Sequence, residues 1–326
     1  MHYLQSIVKI LLPLALGGLI LWWMYRGFDW PTLQAALTSG MDWRWMWLSV
    51  PFGILAQVFR ALRWRQLLRP LGEQPRVHTC INAVFLSYAS SLVVPRVGEV
   101  LRCGVLKRYD GCSFTRGVGT VVTERVVDTL MIAILSLAVF VMQIPVFLRF
   151  FRETGVSLSV FLGQFTLTGW LVTAVCLLTL LLFVAYLMRR YRLITHTRTV
   201  AHDLIEGLLS IRQVEHHGTF WLYSLAIWVC YFLHFYLTFF CFASTASLGL
   251  SVAAVAFVVG TFAVLIPTPN GAGPWHFAVK TVLLLYGVPG EEGAMFALIV
   301  HTVQTLLVAV LGVYAAAALA FQPRKH

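Results

Sequence analysis

Long apolar runs alternate with short polar connections along almost the whole chain. Six of the runs approach the roughly 20 apolar residues that a membrane-spanning helix needs. They lie near 6–25, 44–60, 117–143, 166–188, 219–243 and 293–320. Two further apolar stretches, 77–94 and 252–288, contain polar or helix-breaking residues near their middles. The pattern predicts an all-α polytopic membrane protein in which these two stretches differ from ordinary spans.

Composition agrees with this interpretation. The 326 residues are 59% hydrophobic and 11% charged, whereas soluble domains carry about 25% charged residues. The formal net charge of +11 comes mostly from basic residues that flank apolar runs, which favours contact with anionic headgroups over binding of nucleic acid. The six cysteines show no metal-ligand or CxxC spacing, so we expect buried thiols, no metal site and no cofactor.

Basic residues indicate the topology. The connections 60–76, 96–116 and 189–212 each hold five basic residues. A complete crossing by 77–94 would place the first two connections on opposite sides, against the positive-inside bias. We therefore expect 77–110 to enter from the cytoplasm, turn near Pro95 and return.

The same counting completes the predicted architecture. A second re-entrant hairpin, 252–288, enters from the opposite side, and 198–213 forms an amphipathic interfacial helix. Six spans and two hairpins then make one membrane domain, with both termini cytoplasmic. The location expected for such a protein, by analogy with the family named below, is the bacterial inner membrane.

The two hairpins suggest an inverted repeat. After two N-terminal spans within 1–60, a first repeat covers 77–188 and a second covers 219–320. The segment ERVVDTLMIAILSLAVF (124–140) aligns with VHTVQTLLVAVLGVYAA (300–316). In this register Arg125 corresponds to His301, Asp128 to Gln304 and, between the hairpin turns, Glu99 to His276. Inverted repeats whose broken helices meet near the midplane are common in transporters.

Each hairpin turn offers an anion site. A helix that begins after Pro95 or at Pro274 presents unpaired N–H groups and its positive dipole end. Nearby glycines let the backbone approach a phosphate, and arginines supply charge-assisted hydrogen bonds. The predicted substrate-binding residues are Pro95, Arg96, Gly98, Glu99, Arg102, Asn270, Gly271, Gly273, His276 and Lys280. In the alternative interpretation the prolines and glycines only shape turns, and the basic side chains extend towards the membrane surface.

Charged and polar residues within two spans are candidates for gating or proton coupling. They are Glu124, Arg125, Asp128, His301 and Gln304. A charge at the bilayer centre costs about 2.5–3.5 kcal/mol on insertion scales, so such residues face protein or a cavity. An ion pair between Arg125 and Glu99 would lock the helix to the hairpin. The two histidines are either interior hydrogen-bonded rings or proton carriers.

Several ordered motifs resemble one known family. FRALRWRQLLRPLG (59–72), VPRVGEVLR (94–102), PTPNGAGPWH (267–276) and FALIVHTVQTLL (296–307) are similar to the lysylphosphatidylglycerol synthase transmembrane region, also called the flippase-like domain. The resemblance implies a polytopic protein that moves phospholipids or lipid-linked headgroups between leaflets, sometimes fused to a synthase or glycosyltransferase domain. Here we expect the membrane module alone.

The resemblance also implies functional positions. The family's first loop falls on Pro95, Arg96, Gly98, Glu99 and Arg102, and its second loop falls on Pro267, Pro269, Gly271 and Gly273. Many relatives have Glu and Arg where this chain has His276 and His301. Since both members of a pair differ together, we expect the two histidines to meet.

Three functions remain open from the sequence. The first is a flippase or scramblase for an anionic or phosphate-bearing lipid, working by alternating access between the hairpins. The second is a non-transporting membrane partner of a lipid-modifying synthase or glycosyltransferase, bound through the basic residues of 60–76. The third is an intramembrane enzyme with Glu99, Glu124, Asp128 and His276 as acid–base groups. The sequence lacks a Walker motif and any familiar nucleophile–base arrangement, so we favour transport without catalysis.

Overall fold

The computed structural model describes residues 17–26, 31, 34, 36–154, 210–266 and 268–323, without the side chains of 36, 39 and 145–154. Helices dominate this part of the chain, and its β-structure consists of a single bridge between Met41 and Phe242. We number the helices of nine or more residues in their order along the described residues. They are α1 (17–25), α2 (Trp43–Leu68), α3 (Val77–Ser91), α4 (Val97–Asp110), α5 (Phe114–Thr154), α6 (His217–Tyr236), α7 (Gly249–Ala263), α8 (Pro274–Leu285) and α9 (Gly290–Ala320).

Four helical segments in the described residues are long and apolar enough to cross a membrane. They are Trp43–Leu71, Phe114–Ile144, His217–Cys241 and Gly290–Ala320. They coincide with four of the six predicted spans, so the prediction of a helical membrane protein is confirmed. The predicted span 166–188 and most of 198–213 lie outside the described residues, as do 1–16. The count of six spans therefore stays a prediction.

The predicted connection 60–76 was placed too early in the chain. Helix α2 begins after Asp42, whose carboxylate accepts a hydrogen bond from the Arg44 N–H at 3.0 Å, and continues to Leu68. Arg60 and Arg63 therefore lie inside a helix and are buried. Arginine is a good helix former, and buried acidic partners on α5 compensate its charge, so nothing ends the helix at Arg60.

Two helical hairpins occupy the predicted positions. The first hairpin consists of α3, the turn 92–96 and α4; the second consists of α7, the turn 264–273 and α8. Helices α3 and α7 have 15 residues each, which corresponds to a length of about 22 Å. A typical hydrocarbon core is about 30 Å thick, so each of these helices is shorter than the core.

Contacts with α9 show where the two hairpins lie along this helix. Near its end, the Gln322 amide donates to the Thr79 hydroxyl at 2.8 Å, at the start of α3. Gly312 lies directly against Ala89, near the end of α3. The second hairpin contacts the middle of α9, where the Asn270 amide donates to the Thr305 hydroxyl at 2.8 Å. The two turns therefore approach each other from opposite ends of α9.

The second hairpin packs on α6 and α9 through a core rich in aromatic side chains. Phe235 of α6 and Phe239, in the 3-10 helix Leu237–Cys241 that follows α6, lie within 6.2 Å of Phe296 of α9, ring centre to ring centre. Trp275, in the first turn of α8, lies edge-on to Phe235 at 6.0 Å. This packing fixes the position of α8, and hence of the polar turn that precedes it.

Gly98 allows the two helices of the first hairpin to pack closely. A Cβ at this position would lie 1.9 Å from the Ser87 carbonyl oxygen, whereas a Cβ at Gly104 would meet nothing within 4 Å. We expect Gly98→Ala to lower the free energy of unfolding by about 1–3 kcal/mol, as overpacking does. Thermal unfolding of the purified protein in detergent tests this, with Gly104→Ala as the control. Equal stability of the two variants would contradict the packing.

Candidate functional site

A buried cluster of charges joins the first hairpin to the spanning helices. Arg60 Nη1 of α2 lies 2.6 Å from Asp128 of α5, and Arg63 Nη2 lies 2.7 Å from Asp128 and 3.3 Å from Glu124. Arg102 Nη2 of α4 lies 2.7 Å from Glu124. The charged side chains are almost completely buried. We call these five residues the buried charge cluster.

The cluster contains three guanidinium groups and two carboxylates. Arg63 also donates to the Ser224 hydroxyl of α6 at 3.3 Å, and Arg102 stacks over the Trp64 ring at 4.5 Å. Within the described residues, Nε of Arg60 and Nε of Arg102 have no hydrogen-bond partner. Each carboxylate faces two arginines, so the cluster compensates the negative charges within the protein. Buried charges are tolerated only when they are paired in this way.

This geometry changes the role expected for three residues. The sequence suggested Arg102 as a headgroup ligand, but its guanidinium is buried and binds a protein carboxylate. Glu124 and Asp128, suggested as gating residues, connect α2, α4 and α5. Arg60 and Arg63 were missed, because they were counted as loop charges. A signal existed: Arg60, Arg63 and Trp64 share one helix face, as do Glu124 and Asp128.

A second ion pair lies at the surface, close to the first hairpin turn. Arg125 Nη2 of α5 lies 2.7 Å from Glu99 of α4, and their side chains are 51% and 28% exposed. The lock suggested from the sequence is therefore present as a contact. Arg96, the last residue of the turn, is exposed and has a left-handed backbone (φ 65°). Arg96 Nη2 donates to the Leu265 carbonyl of the second turn at 3.5 Å, so the two turns touch.

Asn270 of the second turn forms hydrogen bonds with His301 and Thr305 of α9, which also contact each other. The Asn270 amide donates to Thr305 Oγ1 at 2.8 Å, and Thr305 lies 3.4 Å from His301 Nδ1. His301 Nε2 lies 3.0 Å from the Asn270 carbonyl, which can only accept. These partners assign the proton of a neutral His301 to Nε2. Asn270, suggested as a substrate ligand, thus fastens the turn to α9.

The two histidines are in contact, as expected. The rings of His276 and His301 lie 4.4 Å apart, centre to centre, and the Gly273 N–H donates to His276 Nδ1 at 3.4 Å. In the register of the repeat, this pair corresponds to Glu99 and Arg125, which also touch. Equivalent positions therefore meet in both halves, once as an ion pair and once as two buried rings.

The three glycines face protein atoms. A Cβ at Gly98, Gly271 or Gly273 would lie within 3 Å of Ser87, Val264 or Gly17, respectively. Gly271 and Gly273 also have positive φ angles of 72° and 91°, which favour glycine. Packing and backbone geometry thus account for these glycines. Binding of a phosphate by their backbones stays a prediction.

The remaining predicted residues fall at different places. Pro95 lies in the turn before α4, and Gln304 is half-buried on α9, one turn after His301. The Cε of Lys280 lies near the start of α9, where a Cβ on Gly290 would be 3.8 Å from it. Lys280 is therefore directed away from the turn. Among the residues that the structure describes, no group of three His, Cys, Asp or Glu side chains could hold a metal ion.

Asn270 offers a test of how the second turn is held. We expect Asn270→Ala to destabilise the protein more than Asn270→Gly, because both lose the side-chain hydrogen bond to Thr305 and alanine also strains a residue at φ 51°. The lost side-chain hydrogen bond contributes about 0.5–1.5 kcal/mol. Thermal unfolding in detergent measures both, with Thr305→Val removing the partner hydroxyl alone. Indistinguishable alanine and glycine variants would contradict the strained geometry.

The chain is similar to one curated protein and to one protein family. One curated relative is the glycosyltransferase AglD of Haloferax volcanii, 33% identical over 89 residues. The match covers 27% of this chain, and the chain spans 14% of that protein's length. No solved structure matches. Residues 10–312 match the family described as the lysylphosphatidylglycerol synthase TM region. The chain therefore belongs to the lysylphosphatidylglycerol synthase transmembrane-region family.

Proposed function

We propose that the protein is a lipid flippase or scramblase that moves a phosphate-bearing lipid between membrane leaflets. The observation that carries this proposal is the meeting of two short hairpins beside the middle of a candidate span, with the Arg96 guanidinium exposed at the contact. A charged lipid headgroup meets its highest barrier at the middle of the bilayer. Charged groups in the membrane interior mark substrate pathways in many transporters.

The lengths of the hairpin helices support re-entrant placement. Helices of about 22 Å reach the middle of a 30 Å core but do not cross it. The first hairpin begins at the Gln322 end of α9 and the second lies towards the Gly290 end. An inverted repeat with six spans accounts for this opposition. Basic residues at the Gln322 end orient it to the cytoplasm of a bacterial inner membrane.

In the proposed mechanism, the weak contact between the two turns breaks while the stronger contacts of the buried charge cluster are kept. The turns meet through one exposed hydrogen bond, from Arg96 to the Leu265 carbonyl at 3.5 Å. The buried charge cluster, in contrast, fastens α4 to α2 and α5 through bonds near 2.7 Å. Opening of the turns while the cluster stays intact gives alternating access between the leaflets. The acids Glu124 and Asp128 stay paired, which supports transport rather than acid–base catalysis.

Leaflet exchange in reconstituted liposomes tests the proposal. The panel comprises fluorescent anionic, zwitterionic and isoprenoid-phosphate lipids, with and without an imposed pH difference. We expect the wild type to accelerate exchange of at least one phosphate-bearing class over protein-free liposomes. We expect Arg96→Ala to lower that rate, with Arg69→Ala, an exposed arginine outside the turns, as the control. No exchange above protein-free liposomes for any lipid would reject transport.

The similarity to a glycosyltransferase supports a second candidate function. The chain would then be a membrane partner that positions a glycosyltransferase or synthase without moving lipid. Two arginines suggested for such an interface, Arg60 and Arg63, are buried, which reduces the available surface. If this candidate is right, liposomes that contain the chain alone show no lipid exchange. The glycosyltransferase or synthase then has a higher activity when it is reconstituted together with the chain. Exchange by the isolated chain would contradict it.

A further inference from the structure

Apart from the exposed Thr129, the Glu99–Arg125 pair lies within an apolar exposed surface. Its neighbours on α5, Val122, Val126 and Leu130, are 42%, 60% and 48% exposed, as expected for side chains that face lipid. A partly exposed ion pair among such residues is costly at membrane depth. Packing does not require it here, because the buried charge cluster already joins α4 to α5. The pair is therefore explained best if a polar group binds beside it on the lipid-facing side.

The exposed face of α4 connects this pair to the end of the helix. Val97, Val100 and Leu101 are exposed, and a Cβ on Gly104 would meet no atom within 4 Å. Lys107 and Arg108 follow on the same side and are exposed. From Arg96 to Arg108 the rise is about 18 Å, roughly half the thickness of a membrane's hydrocarbon core. The face runs from the basic end of α4 to the hairpin turn.

The charge on this face favours an anion. Four exposed cations, Arg96, Lys107, Arg108 and Arg125, accompany a single acid, Glu99. The buried side of α4 offers no such access, because the Arg102 guanidinium is bound to Glu124. An open cavity of about 200 Å³ between α5, α6 and α7 is lined by apolar side chains such as Leu135, Phe232 and Phe257. It suits an acyl chain and not a headgroup.

We propose that a phosphate-bearing lipid headgroup moves along the exposed face of α4, outside the helix bundle, while its acyl chains stay in the bilayer. Lys107 and Arg108 receive the phosphate at the membrane surface, and Arg125 and Arg96 receive it at the hairpin turn. Glu99 neutralises Arg125 while the path is empty. This inference rests on the proposed transport function and adds the route and the negative charge of the headgroup.

A labelled lipid tests the route independently of transport. The probe is a phosphatidylethanolamine with an aryl azide on its amine, so that its headgroup carries one negative charge. After illumination in liposomes of wild-type protein, mass spectrometry locates the adducts. We expect several-fold more adducts on Val100–Gly104 than on Ala317–Ala320 of α9. The α9 segment is exposed at Ala317 and Ala320. It lies at a depth similar to that of Val100–Gly104, because α3 packs against both helices and pairs Ser87 with Gly98 of α4, and Ala89 with Gly312 of α9. Equal labelling of the two faces would overturn the route.

A steric block tests the same route by function. Gly104→Trp places a large ring where a Cβ would meet no atom within 4 Å, and Ala320→Trp places the same ring on α9. We expect Gly104→Trp to slow leaflet exchange at least tenfold and Ala320→Trp to leave the rate unchanged. If the wild type exchanges lipid and Gly104→Trp exchanges it equally fast, the route is wrong while transport stands. If the wild type exchanges nothing, transport fails, and the labelling result alone decides whether headgroups occupy α4.

Discussion

Replacing Arg63 by leucine is expected to lower the free energy of unfolding by about 3–5 kcal/mol, or to prevent folding altogether. The substitution removes one of the two arginines that face Asp128 and one of the two that face Glu124, at 2.7 and 3.3 Å. The carboxylates stay buried with less positive charge beside them, and Ser224 loses its donor. Yield of monodisperse protein and its thermal unfolding in detergent measure the effect.

Two further variants make the Arg63 prediction specific. Arg69→Leu removes an exposed arginine one turn and a half later and should change stability by no more than about 0.5 kcal/mol. Arg63→Lys keeps a positive charge beside the two carboxylates and should lose less stability than Arg63→Leu. Wild-type stability of Arg63→Leu would show that the buried charge cluster does not hold the helices together.

Replacing Arg125 by alanine is expected to slow leaflet exchange by about tenfold to a hundredfold while leaving the fold intact. A hydrogen bond to a charged group contributes about 1.5–3 kcal/mol, and each 1.4 kcal/mol corresponds to a factor of ten. The rate falls by the full factor if the lipid phosphate contacts Arg125 in the slowest step of exchange. Because the buried charge cluster still joins α4 to α5, removal of the pair with Glu99 should leave the protein folded.

Separate measurements of rate and stability distinguish a headgroup ligand from a structural residue. Liposome exchange gives the rate, and thermal unfolding in detergent gives the stability of the same preparation. Arg125→Lys keeps the charge and should recover part of the exchange. A large loss of stability in Arg125→Ala, or an unchanged exchange rate in a folded variant, would remove Arg125 from the transport path.

The sequence predicted the helical architecture well because hydropathy is a strong local signal in membrane proteins. The apolar runs 117–143 and 293–320 correspond closely to the candidate spans Phe114–Ile144 and Gly290–Ala320. The prolines at 95 and 274 predicted where α4 and α8 begin. The end of α2 was less predictable, because hydropathy falls at Arg60 although the helix continues. Only the partners on α5 reveal that Arg60 and Arg63 are inside.

The sequence predicted which residues of the candidate site lie close together better than it predicted which of them are buried. The charges suggested an ion pair between Glu99 and Arg125, and the joint departure from the family's pattern predicted that His276 meets His301; both contacts are present. Residue type alone did not separate Arg96, which is exposed, from Arg102, which is buried. The difference depends on which face of α4 each occupies against α2 and α5. Nor did the sequence show that packing accounts for Gly98, Gly271 and Gly273.

Reversible cross-linking of the two hairpin turns tests the central claim, that lipid passes where these turns meet. Val97→Cys and Leu265→Cys are introduced in a background without the six native cysteines and joined by a flexible bis-methanethiosulfonate that reduction removes. We predict that exchange stops on cross-linking and returns on reduction, and that the reagent slows Val97→Cys alone, in which no cross-link forms, less than it slows the double variant. Unchanged exchange by fully cross-linked protein would contradict it.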